Sequence, residues 1–385
     1  MVNGPLWCYF YAMKYVDNEN PMASMRFSCT QVGPNSLVYG TEDDLRKGLS
    51  SIETYAKPER VFVESNCSVS LVGDDVQGIA DQMDLPWPVY AMDSGGMKGS
   101  FEAGYSAASL RIEKEMKTKE KIPASVNVLG LSTVHMKGRE DAEEIRRLLS
   151  LCGIRVISMP GGGSNWDDIM AAPSASLNIV VRDELGLSLA KQMERDFGTP
   201  YMSSGLPYGT DGTMAWLSEI IEKLGAGELI RASHEAAKLK EFLLRKGNNL
   251  ESLWGPLWFD AVLISAPPSE ALGIAEAIRS EWIDTAHLCI HAQCETEKST
   301  PAADAIRVVM KNEKEIAKDY EDWQGGLVLS SSHETHLLRR MGRSFTGFHI
   351  ALPSHDEVHF SDLPQCGLRG AGYLYEQLWN AKLRK

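Results

Sequence analysis

The sequence predicts an α/β protein made of three Rossmann-like, doubly wound parallel-sheet domains. Short apolar runs typical of strands alternate with helical stretches along the whole chain, and 385 residues exceed what one hydrophobic core usually supports. The near-continuous apolar run "SVNVLGLS" (125–132) is typical of a strand covered by helices on both faces. We place the three domains at residues 1–122, 123–250 and 251–385.

The first domain contains a strand, a helix and a second strand in close succession. "PERVFVESNC" (58–67) is β-rich, "DDVQGIADQM" (74–83) is helical, and "WPVYAMD" (87–93) is typical of the next strand. Cys67 lies where the first of these strands ends. In doubly wound sheets ligands bind beyond the carboxyl ends of the strands, so Cys67 occupies a position suited to chemistry.

The second and third domains continue this alternation. "GREDAEEIRRLLSLCG" (138–153) has helical periodicity and ends at a glycine, and a long helical stretch (214–247) follows later in the second domain. Further strands are predicted within 154–164, 175–181 and 198–209 of the second domain, and within 258–268, 286–294, 325–333 and 345–354 of the third.

Charge and hydropathy exclude several classes of partner. The 39 basic and 52 acidic residues leave a net charge of −13, which repels a phosphate backbone, so we expect no nucleic-acid partner. The chain has no apolar run long enough for a membrane span and no recognisable signal peptide, so we expect a cytoplasmic protein. Its seven cysteines are widely spaced and odd in number, which indicates reduced thiols, some structural and some metal-bound.

Several motifs with a defined chemistry are incomplete. "PGGGSNWDD" (160–168) is glycine-rich but lacks the Lys-Ser/Thr of a P-loop, so we interpret it as a strand–helix turn and expect no ATP site in this chain. "HETH" (333–336) is not HExxH, and its histidines could equally lie at a helix start. His287, Cys289 and His291 share one strand face, which suits either zinc or a buried strand with hydrogen-bonded imidazoles. No Ser–His–Asp arrangement is evident.

Cys8 and Cys67 are the two thiols whose setting favours a shared function. Cys8 follows a Gly-Pro turn in "NGPLWCYFYAM" (3–13), and Cys67 follows a strand. Either cysteine alone is more often a small buried hydrophobe, but together they could converge on a soft metal centre, because thiolates are the ligands of iron–sulfur clusters. Such a cluster needs about four protein ligands. The others would therefore come from another chain, with the cluster at a subunit interface.

Residues 27–49 ("FSCTQVGPNSLVYGTEDDLRKGL") and 55–79 ("YAKPERVFVESNCSVSLVGDDVQGI") resemble the first domain of the nitrogenase component-1 superfamily, especially its β-type subunits. The family has a Ser-Cys segment, a V-F/Y-G-G turn, and a strand that ends in a cysteine shortly before I/V-G-D-D. Weaker similarities lie in "GSFEAGY" (99–105), in residues 330–353 and in "GLRGAGYLYEQLWN" (367–380). The resemblance therefore spans nearly the whole chain.

The resemblance implies that Cys8 and Cys67 are ligands of an electron-relay iron–sulfur cluster shared between subunits. Cys29 matches a family position that is not a ligand, which implies a structural role. Because the chain starts too close to Cys8 to hold a further upstream ligand, the cluster would be a 4Fe–4S type or an 8Fe–7S type with an altered ligand set. The implied partners are an α-type homologous subunit in an α2β2 heterotetramer, or alternatively a second copy, and an ATP-hydrolysing 4Fe–4S reductase.

The resemblance also bears on the active-site metallocluster. In α-type subunits its ligands are a mid-chain cysteine and a late histidine; here those positions fall at Val181–Arg182, with no thiol, and on Cys366. We therefore expect the partner to hold the active-site metallocluster, with Cys366 as this chain's candidate for touching a cofactor. Asp74 and Asp75 are interpreted as helix-start carboxylates rather than catalytic groups.

The family includes reductases of several substrates, and elimination favours one of them. Nitrogenase β subunits usually have a longer N-terminal extension, and tetrapyrrole reductases usually have a simpler cluster. A methylthio-alkane reductase, which cleaves carbon–sulfur bonds reductively, is the remaining type. The alternatives are a nitrogenase-type or tetrapyrrole reductase subunit, a metallocluster assembly scaffold, and a sugar- or nucleotide-binding α/β protein with idle cysteines.

Overall fold

The structure is a computed structural model, and it describes residues 1–20, 23–92, 95–308, 317–318, 320–321, 323 and 325–384. The chain divides into two compact units, Met1–Glu115 and Met116–Lys385. Every strand pairing among the described residues is parallel, and helices alternate with the strands, so the predicted α/β class with three parallel sheets is confirmed. The predicted domain boundaries stay a prediction.

The first unit is built around a three-stranded sheet in the order β1-β2-β3. Its strands are β1 (Val2–Asn3), β2 (Val61–Ser65) and β3 (Val89–Met92). Its helices are α1 (Leu6–Glu19), α2 (Ser36–Tyr39), α3 (Glu42–Tyr55), α4 (Cys67–Val72), α5 (Val76–Asp81) and α6 (Phe101–Glu113), with a 3-10 turn at Ser24–Arg26. Leu45, Leu49 and Ile52 are spaced for one helix face and share a core with Val61 and Val63 of β2.

The second unit contains two parallel sheets. One has the order β5-β4-β6-β7 and consists of β4 (Ile122–Leu129), β5 (Arg155–Ser158), β6 (Ala175–Val180) and β7 (Tyr201–Ser203). The other has the order β10-β9-β8-β11-β12 and consists of β8 (Trp258–Ala266), β9 (Asp284–Ala292), β10 (Ala305–Val308), β11 (Leu327–Ser330) and β12 (Thr346–His349). The strand order changes direction between β4 and β6 in one sheet and between β8 and β11 in the other. In doubly wound sheets, such a switch point leaves a crevice beyond the carboxyl ends of the two strands.

The helices of the second unit divide the helical stretch that the sequence predicts at 214–247. They are α7 (Gly138–Leu151), α8 (Trp166–Ala171), α9 (Asp183–Phe197), α10 (Thr210–Leu224), α11 (Ile230–Trp254), α12 (Pro268–Ala277), α13 (Ser332–Arg340) and α14 (Gly367–Leu383), with a 3-10 turn at Ala172–Ser174 and a π-helical turn at Ile278–Trp282. The stretch 214–247 is thus part of two helices. Gly225 and Gly227, with φ of 65° and 112°, adopt a conformation that glycine tolerates and that separates α10 from α11.

No helix in the described part of the chain is both long enough and apolar enough to cross a bilayer.

Candidate functional site

Cys8 and Cys67 lie beyond the carboxyl ends of two adjacent parallel strands. Asn3, the last residue of β1, pairs in register with Ser65, the last residue of β2. Cys8 follows in the first turn of α1, and Cys67 is the first residue of α4. The topology therefore brings both predicted ligands to the same edge of the sheet, which is the edge where parallel sheets bind ligands.

Asn66 connects the two cysteines. Its Nδ2 donates to the Cys8 sulfur over 3.2 Å, and its Oδ1 accepts from the Val69 N–H over 3.0 Å as the N-cap of α4. Its own N–H donates to the Asn3 carbonyl at 3.1 Å. The residue immediately before Cys67 is therefore held at three points, one of which is Cys8.

Two glycines lie against this arrangement. A Cβ on Gly4 would lie 2.5 Å from Cγ of Asn66, so only glycine fits between the start of α1 and that side chain. A Cβ on Gly96 would lie 3.4 Å from the Cys67 sulfur. The Cys8 and Cys67 thiols are both free and exposed, so each is accessible to a group held jointly with another molecule.

Cys29 lies near the same edge but makes contacts within the protein. It forms a parallel bridge with Val2, its sulfur donates to the Gly4 carbonyl at 3.3 Å, and the sulfur accepts from the Gln31 N–H at 3.4 Å. Burial raises the pKa of the Cys29 thiol, the Gln31 hydrogen bond opposes the rise, and the charge of Cys8 adds to it. These contacts fit the structural role that the sequence predicted.

Large apolar side chains are exposed on the elements that carry the two cysteines. We call the following set the thiol-edge apolar surface: Leu6, Trp7, Phe10 and Tyr11 on α1, Leu71 on α4, Met97 directly after Gly96, and Phe101 at the start of α6. The Trp7, Phe10 and Tyr11 rings contact one another with centroids 5.6–6.2 Å apart. Apolar surface of this kind marks a protein–protein contact more often than a solvated face.

Within the described residues, no group of three or more His, Cys, Asp or Glu side chains is arranged to hold a metal ion. A cluster held by Cys8 and Cys67, as the sequence predicts, would need further donors beside these two. The histidine- and cysteine-bearing strand is β9, and His291 is buried with its ring centroid 5.2 Å from that of Tyr320. His291 therefore fits the buried-strand alternative, whereas His287 on the same strand is exposed.

Asp74 and Asp75, which follow Cys67 in sequence, stabilise the N-terminal ends of two helices. Asp75 is the N-cap of α5, and its Oδ1 accepts from the Gly78 N–H over 2.9 Å. Asp74 accepts from the Thr41 hydroxyl over 2.8 Å, and Thr41 is the N-cap residue of α3. Both carboxylates are structural, as predicted, although Asp74 serves α3 rather than the helix that follows it.

The glycine-rich segment 160–168 is a strand–helix turn, as predicted. Asn165 and Asp168 form a capping box at the start of α8. "HETH" likewise lies at a helix start, where Ser331 and Glu334 form the capping box of α13.

A buried ion pair lies at the strand ends of the second unit. Arg182, two residues after β6, is fully buried, and its Nε and Nη2 both donate to Oε1 of Glu270, at 2.9 and 2.6 Å. Glu270 lies in the first turn of α12, which follows β8. The Nη1 of Arg182 donates to the Gly130 carbonyl at 3.3 Å, just after β4. The pair therefore joins the strand ends of the two sheets.

Neighbouring charges set the protonation of this network. Burial raises the pKa of Glu270, but Arg182 and His135 together lower it to about 2. Burial raises the pKa of Asp141 to about 6, against the opposing charge of Arg182. The Asp141 Oδ1 accepts from the backbone N–H of Gln365 at 2.7 Å and of Cys366 at 3.0 Å. Asp141 thereby fixes the turn that leads into α14.

Cys366 is the N-cap residue of α14 and is fully buried. Its sulfur lies 3.9 Å from the Asp141 carbonyl oxygen. Burial raises the pKa of the Cys366 thiol well above its ordinary value, and the charges of Asp141 and Glu144 add to the rise. Because a cysteine ligates metal as the thiolate, this setting favours a protonated structural thiol. A ligand role for Cys366 stays a prediction that its surroundings do not support.

Residues 1–383 match the family described as nitrogenase component 1 type oxidoreductase. The chain belongs to this family. The predicted membership of the nitrogenase component-1-like superfamily and the predicted oxidoreductase class are therefore confirmed at the level of the family.

This component 1-type chain is similar in sequence to a cofactor biosynthesis protein and to a reductase subunit. The nitrogenase iron-molybdenum cofactor biosynthesis protein NifE of Clostridium pasteurianum is 29% identical over 260 residues, covering 66% of this chain and 54% of the relative. A subunit of the light-independent protochlorophyllide reductase of Chloroherpeton thalassium is 23% identical over 373 residues, covering 92% of this chain and 69% of the relative. The chain thus matches about half the length of the first relative and about two thirds of the second.

Solved structures support the same fold. The structure titled "Nitrogenase Cp1 at pH 6.5" superposes with a TM-score of 0.75 at 16% identity, covering 100% of this chain and 88% of that chain. The structure titled "Nitrogenase Cp1 at pH 5" superposes with a TM-score of 0.71 at 20% identity, covering 100% and 84%. At these identities the likeness concerns the fold alone.

Sequence reasoning missed two features of this component 1-type chain. The first is Asn66, which could have been found because an asparagine directly before Cys67 at a strand end is a preferred N-cap. The second is the Arg182–Glu270 pair. The sequence signal for this pair is a charged residue directly after a near-continuous apolar strand, as in "VVRDE" (180–184).

Proposed function

We propose that this chain is the β-type subunit of a nitrogenase-like two-component reductase, in which Cys8 and Cys67 supply thiolates to an iron–sulfur cluster shared with a partner chain. The observation that supports this is the position of the two exposed cysteines, at the ends of adjacent strands and joined through Asn66. When bound, such a cluster supplies single-electron transfer. The N-terminal ends of α1 and α4 carry partial positive charge, which suits metal-bound thiolates.

The partner in this proposal is a homologous α-type subunit, in an α2β2 heterotetramer. Two donors from this chain leave a cluster incomplete, and the thiol-edge apolar surface offers contact area beside them. Two homologous chains that pair about an approximate two-fold axis present equivalent strand ends to each other. Their thiols would then meet at one place, which is what a shared cluster requires.

Electrons in this proposal come from a separate ATP-hydrolysing 4Fe–4S reductase. The family resemblance supports this, and so does the glycine-rich segment 160–168, which is a helix-capping turn without a P-loop lysine. The strand-end region of the second unit does not fit an active-site metallocluster, because it contains the Arg182–Glu270 pair and the protonated thiol of Cys366. We therefore assign that metallocluster to the partner.

The substrate class we propose is the methylthio-alkanes. Reductive cleavage of R–S–CH3 consumes two electrons and two protons and releases R–H and CH3–SH. The support is elimination among the family's reductase types, together with the β-like pattern of residues 27–79 and the two retained cysteines, Cys8 and Cys67. Release of methanethiol from a methylthio-alkane by the complete complex, dependent on ATP, is the direct assay. If the complex reduces a tetrapyrrole or dinitrogen but no methylthio-alkane, the proposed substrate class is wrong.

A metallocluster assembly scaffold is a second candidate, because the relative NifE is named as a cofactor biosynthesis protein. An enzyme and a scaffold differ in turnover. With the ATP-dependent reductase present, an enzyme forms many equivalents of product per cluster, whereas a scaffold never exceeds one. Product that stops at one equivalent, with transfer of the cluster to a recipient protein, would decide for the scaffold.

The cluster itself is tested by anaerobic co-expression of the chain with its neighbouring reading frames. We expect brown protein that contains iron and acid-labile sulfide in a heteromeric complex. Cys67→Ala should lose both iron and the partner, because the cluster bridges the chains. Cys289→Ala, which removes a half-buried thiol of β9, is the matched control and should retain both.

Two outcomes contradict the proposal. A Cys67→Ala complex with unchanged iron content would show that Cys67 is not a ligand. Colourless, iron-free wild-type protein would leave the sugar- or nucleotide-binding alternative with idle cysteines.

A further inference from the structure

A row of buried polar side chains crosses the four-stranded sheet of the second unit. Asn127 on β4 pairs in register with Ser158, the last residue of β5, and with Asn178 on β6. All three residues are 0% exposed. Residues paired in register on parallel strands project to the same face of a sheet, so the three side chains lie side by side inside the protein. The sequence analysis did not identify this row.

Two hydrogen bonds fix the orientation of the Asn127 side chain. Its Nδ2 donates to Oδ1 of Asn178 and to the Ala172 carbonyl, both at 2.8 Å. A backbone carbonyl can only accept, so the nitrogen of the Asn127 amide, and not its oxygen, must face Ala172 and β6. The Oδ1 of Asn127 therefore lies on the other side of the amide, towards β5 and Ser158.

Two oxygens meet there without a protein partner. Neither Oδ1 of Asn127 nor Oγ of Ser158 has a hydrogen-bond partner among the described residues, and both atoms are buried. They also make no direct hydrogen bond to each other. An unpaired polar atom in the interior costs free energy, so folded proteins pair such atoms either with protein groups or with ordered water.

The backbone beside these two oxygens is irregular. Val126 and Asn127 are consecutive on β4, but their partners on β5 are Val156 and Ser158, so Ile157 is an extra residue. An extra residue of this kind is a β-bulge, which interrupts the hydrogen-bond ladder between the two strands. The bulge lies at the position where the two oxygens meet, so the strands are least tightly joined at that point.

We propose that Ser158 and Asn127 bind one ordered water molecule at this bulge. The Ser158 hydroxyl donates to the water, and the water donates to Oδ1 of Asn127. The ligand must both accept and donate, which an anion and a metal cation do not do, and two neutral oxygens are too few for a hard cation. Adjacent strands lie about 4.8 Å apart, which suits one small molecule between their side chains.

The water completes a chain of hydrogen bonds across three strands. The chain runs from Ser158 on β5 through the water to Asn127 on β4 and on to Asn178 on β6. Through the Ala172 carbonyl it also reaches the 3-10 turn that precedes β6. The water therefore holds the end of β5 against the centre of the sheet where the ladder is interrupted. This role depends neither on the proposed cluster nor on the proposed substrate.

The first test uses the sign of a change in stability. If the Ser158 hydroxyl is paired with water, Ser158→Ala removes a buried hydrogen bond and should lower the folding equilibrium constant by about fivefold. If the hydroxyl has no partner, the same substitution removes a desolvation cost, and the constant should stay the same or rise. Urea unfolding of the full-length chain measures this constant. An unchanged or raised constant would overturn the proposal.

Ser125→Ala is the matched control for that measurement. Ser125 is equally buried on β4 of the same sheet, but its Oγ donates directly to the Ile122 carbonyl at 2.5 Å. Its replacement should lower the folding equilibrium constant whether or not the water exists. The variant therefore gives the effect of losing a paired hydroxyl in this sheet, and Ser158→Ala should match it within about threefold.

The second test locates the water directly. A crystal structure of the full-length chain should show a density peak within about 3.2 Å of both Oγ of Ser158 and Oδ1 of Asn127. A direct hydrogen bond between these two side chains, or no density between them, would overturn the proposal even if Ser158→Ala is destabilising. Neither measurement involves iron or turnover, so a negative result would leave the proposed function standing.

Discussion

The side chain of Asn66 donates a hydrogen bond to the sulfur of Cys8 across 3.2 Å. The two residues are far apart in sequence, and the parallel pairing of β1 with β2 brings them together. Because Asn66 also caps the helix that begins with Cys67, one side chain sets the positions of both predicted ligands.

Two substitutions separate the two roles of Asn66. Asn66→Ala should lower the free energy of unfolding by about 1 kcal/mol because it removes the N-cap, and it should lower iron content because it frees Cys8. Asn66→Asp keeps an acceptor for the Val69 N–H but loses the donor to Cys8, so it should retain stability and still lose iron. Urea unfolding and iron analysis measure the two effects. Full iron content in Asn66→Asp would mean that the Cys8 bond has no part in cluster retention.

Gly4→Ala should destabilise the first unit. The new Cβ would lie 2.5 Å from Cγ of Asn66, and such overpacking costs about 1–3 kcal/mol. Gly33→Ala is the matched control, since a Cβ at Gly33 meets no atom within 4 Å. Chemical denaturation should separate the two variants. Equal stabilities would indicate that the start of α1 adjusts without cost.

Glu270→Gln should strongly destabilise the second unit. It leaves the fully buried Arg182 charge without its carboxylate partner, a change that costs about 3–5 kcal/mol. Because the pKa of Glu270 is lowered from 4.5 to about 2, the stability that its charge contributes is present above pH 4.5 and is lost as the pH falls towards 2. Unfolding curves recorded against pH should therefore converge for the variant and wild type in acid.

Glu42→Gln serves as the surface control for that experiment. The Glu42–Arg46 pair is exposed, and pairs of this kind contribute less than about 1 kcal/mol. If Glu270→Gln lowers the free energy of unfolding as little as Glu42→Gln does, Arg182 must bind another partner.

The effect of Asp141→Asn on the free energy of unfolding should depend on pH in the opposite direction. The pKa of Asp141 is raised from 3.8 to about 6, so its contribution to stability is present below pH 3.8 and is lost as the pH rises through 6. Asparagine keeps an oxygen for the N–H groups of Gln365 and Cys366 and carries no charge. The stability of the variant relative to wild type should therefore increase between pH 4 and pH 7. A difference that is independent of pH would contradict the raised pKa.

The sequence was sufficient for the local features of this protein because they depend on residues close together in the chain. The first five residues of the apolar run at 125–132 form the buried end of β4, the 138–153 pattern is α7, and the segment at 160–168 is a capped helix start. The helical stretch predicted at 214–247 lies in α10 and α11, but the break between these two helices was not predicted. Two glycines inside a helical pattern can be either tolerated or used as a break.

The short edge strands were beyond sequence reasoning. Val2–Asn3 in β1 and Ala305–Val308 in β10 have too few residues for a periodic pattern, and they are strands because longer neighbours pair with them. The same holds for the candidate site. Cys8 and Cys67 were chosen from their local settings and the family resemblance, whereas their approach through Asn66 depends on β1 pairing with β2.

The sequence by itself determined the α/β class, the family and the choice of Cys8 and Cys67 as candidate ligands, since periodicity, turn residues and motif spacing are properties of adjacent residues. Only the tertiary structure decided which distant polar groups meet. The Arg182 and Glu270 side chains, for example, follow strands of two different sheets. Their hydrogen bonds form because burial leaves these groups no water to bind, and that condition exists only once the strands and helices have packed.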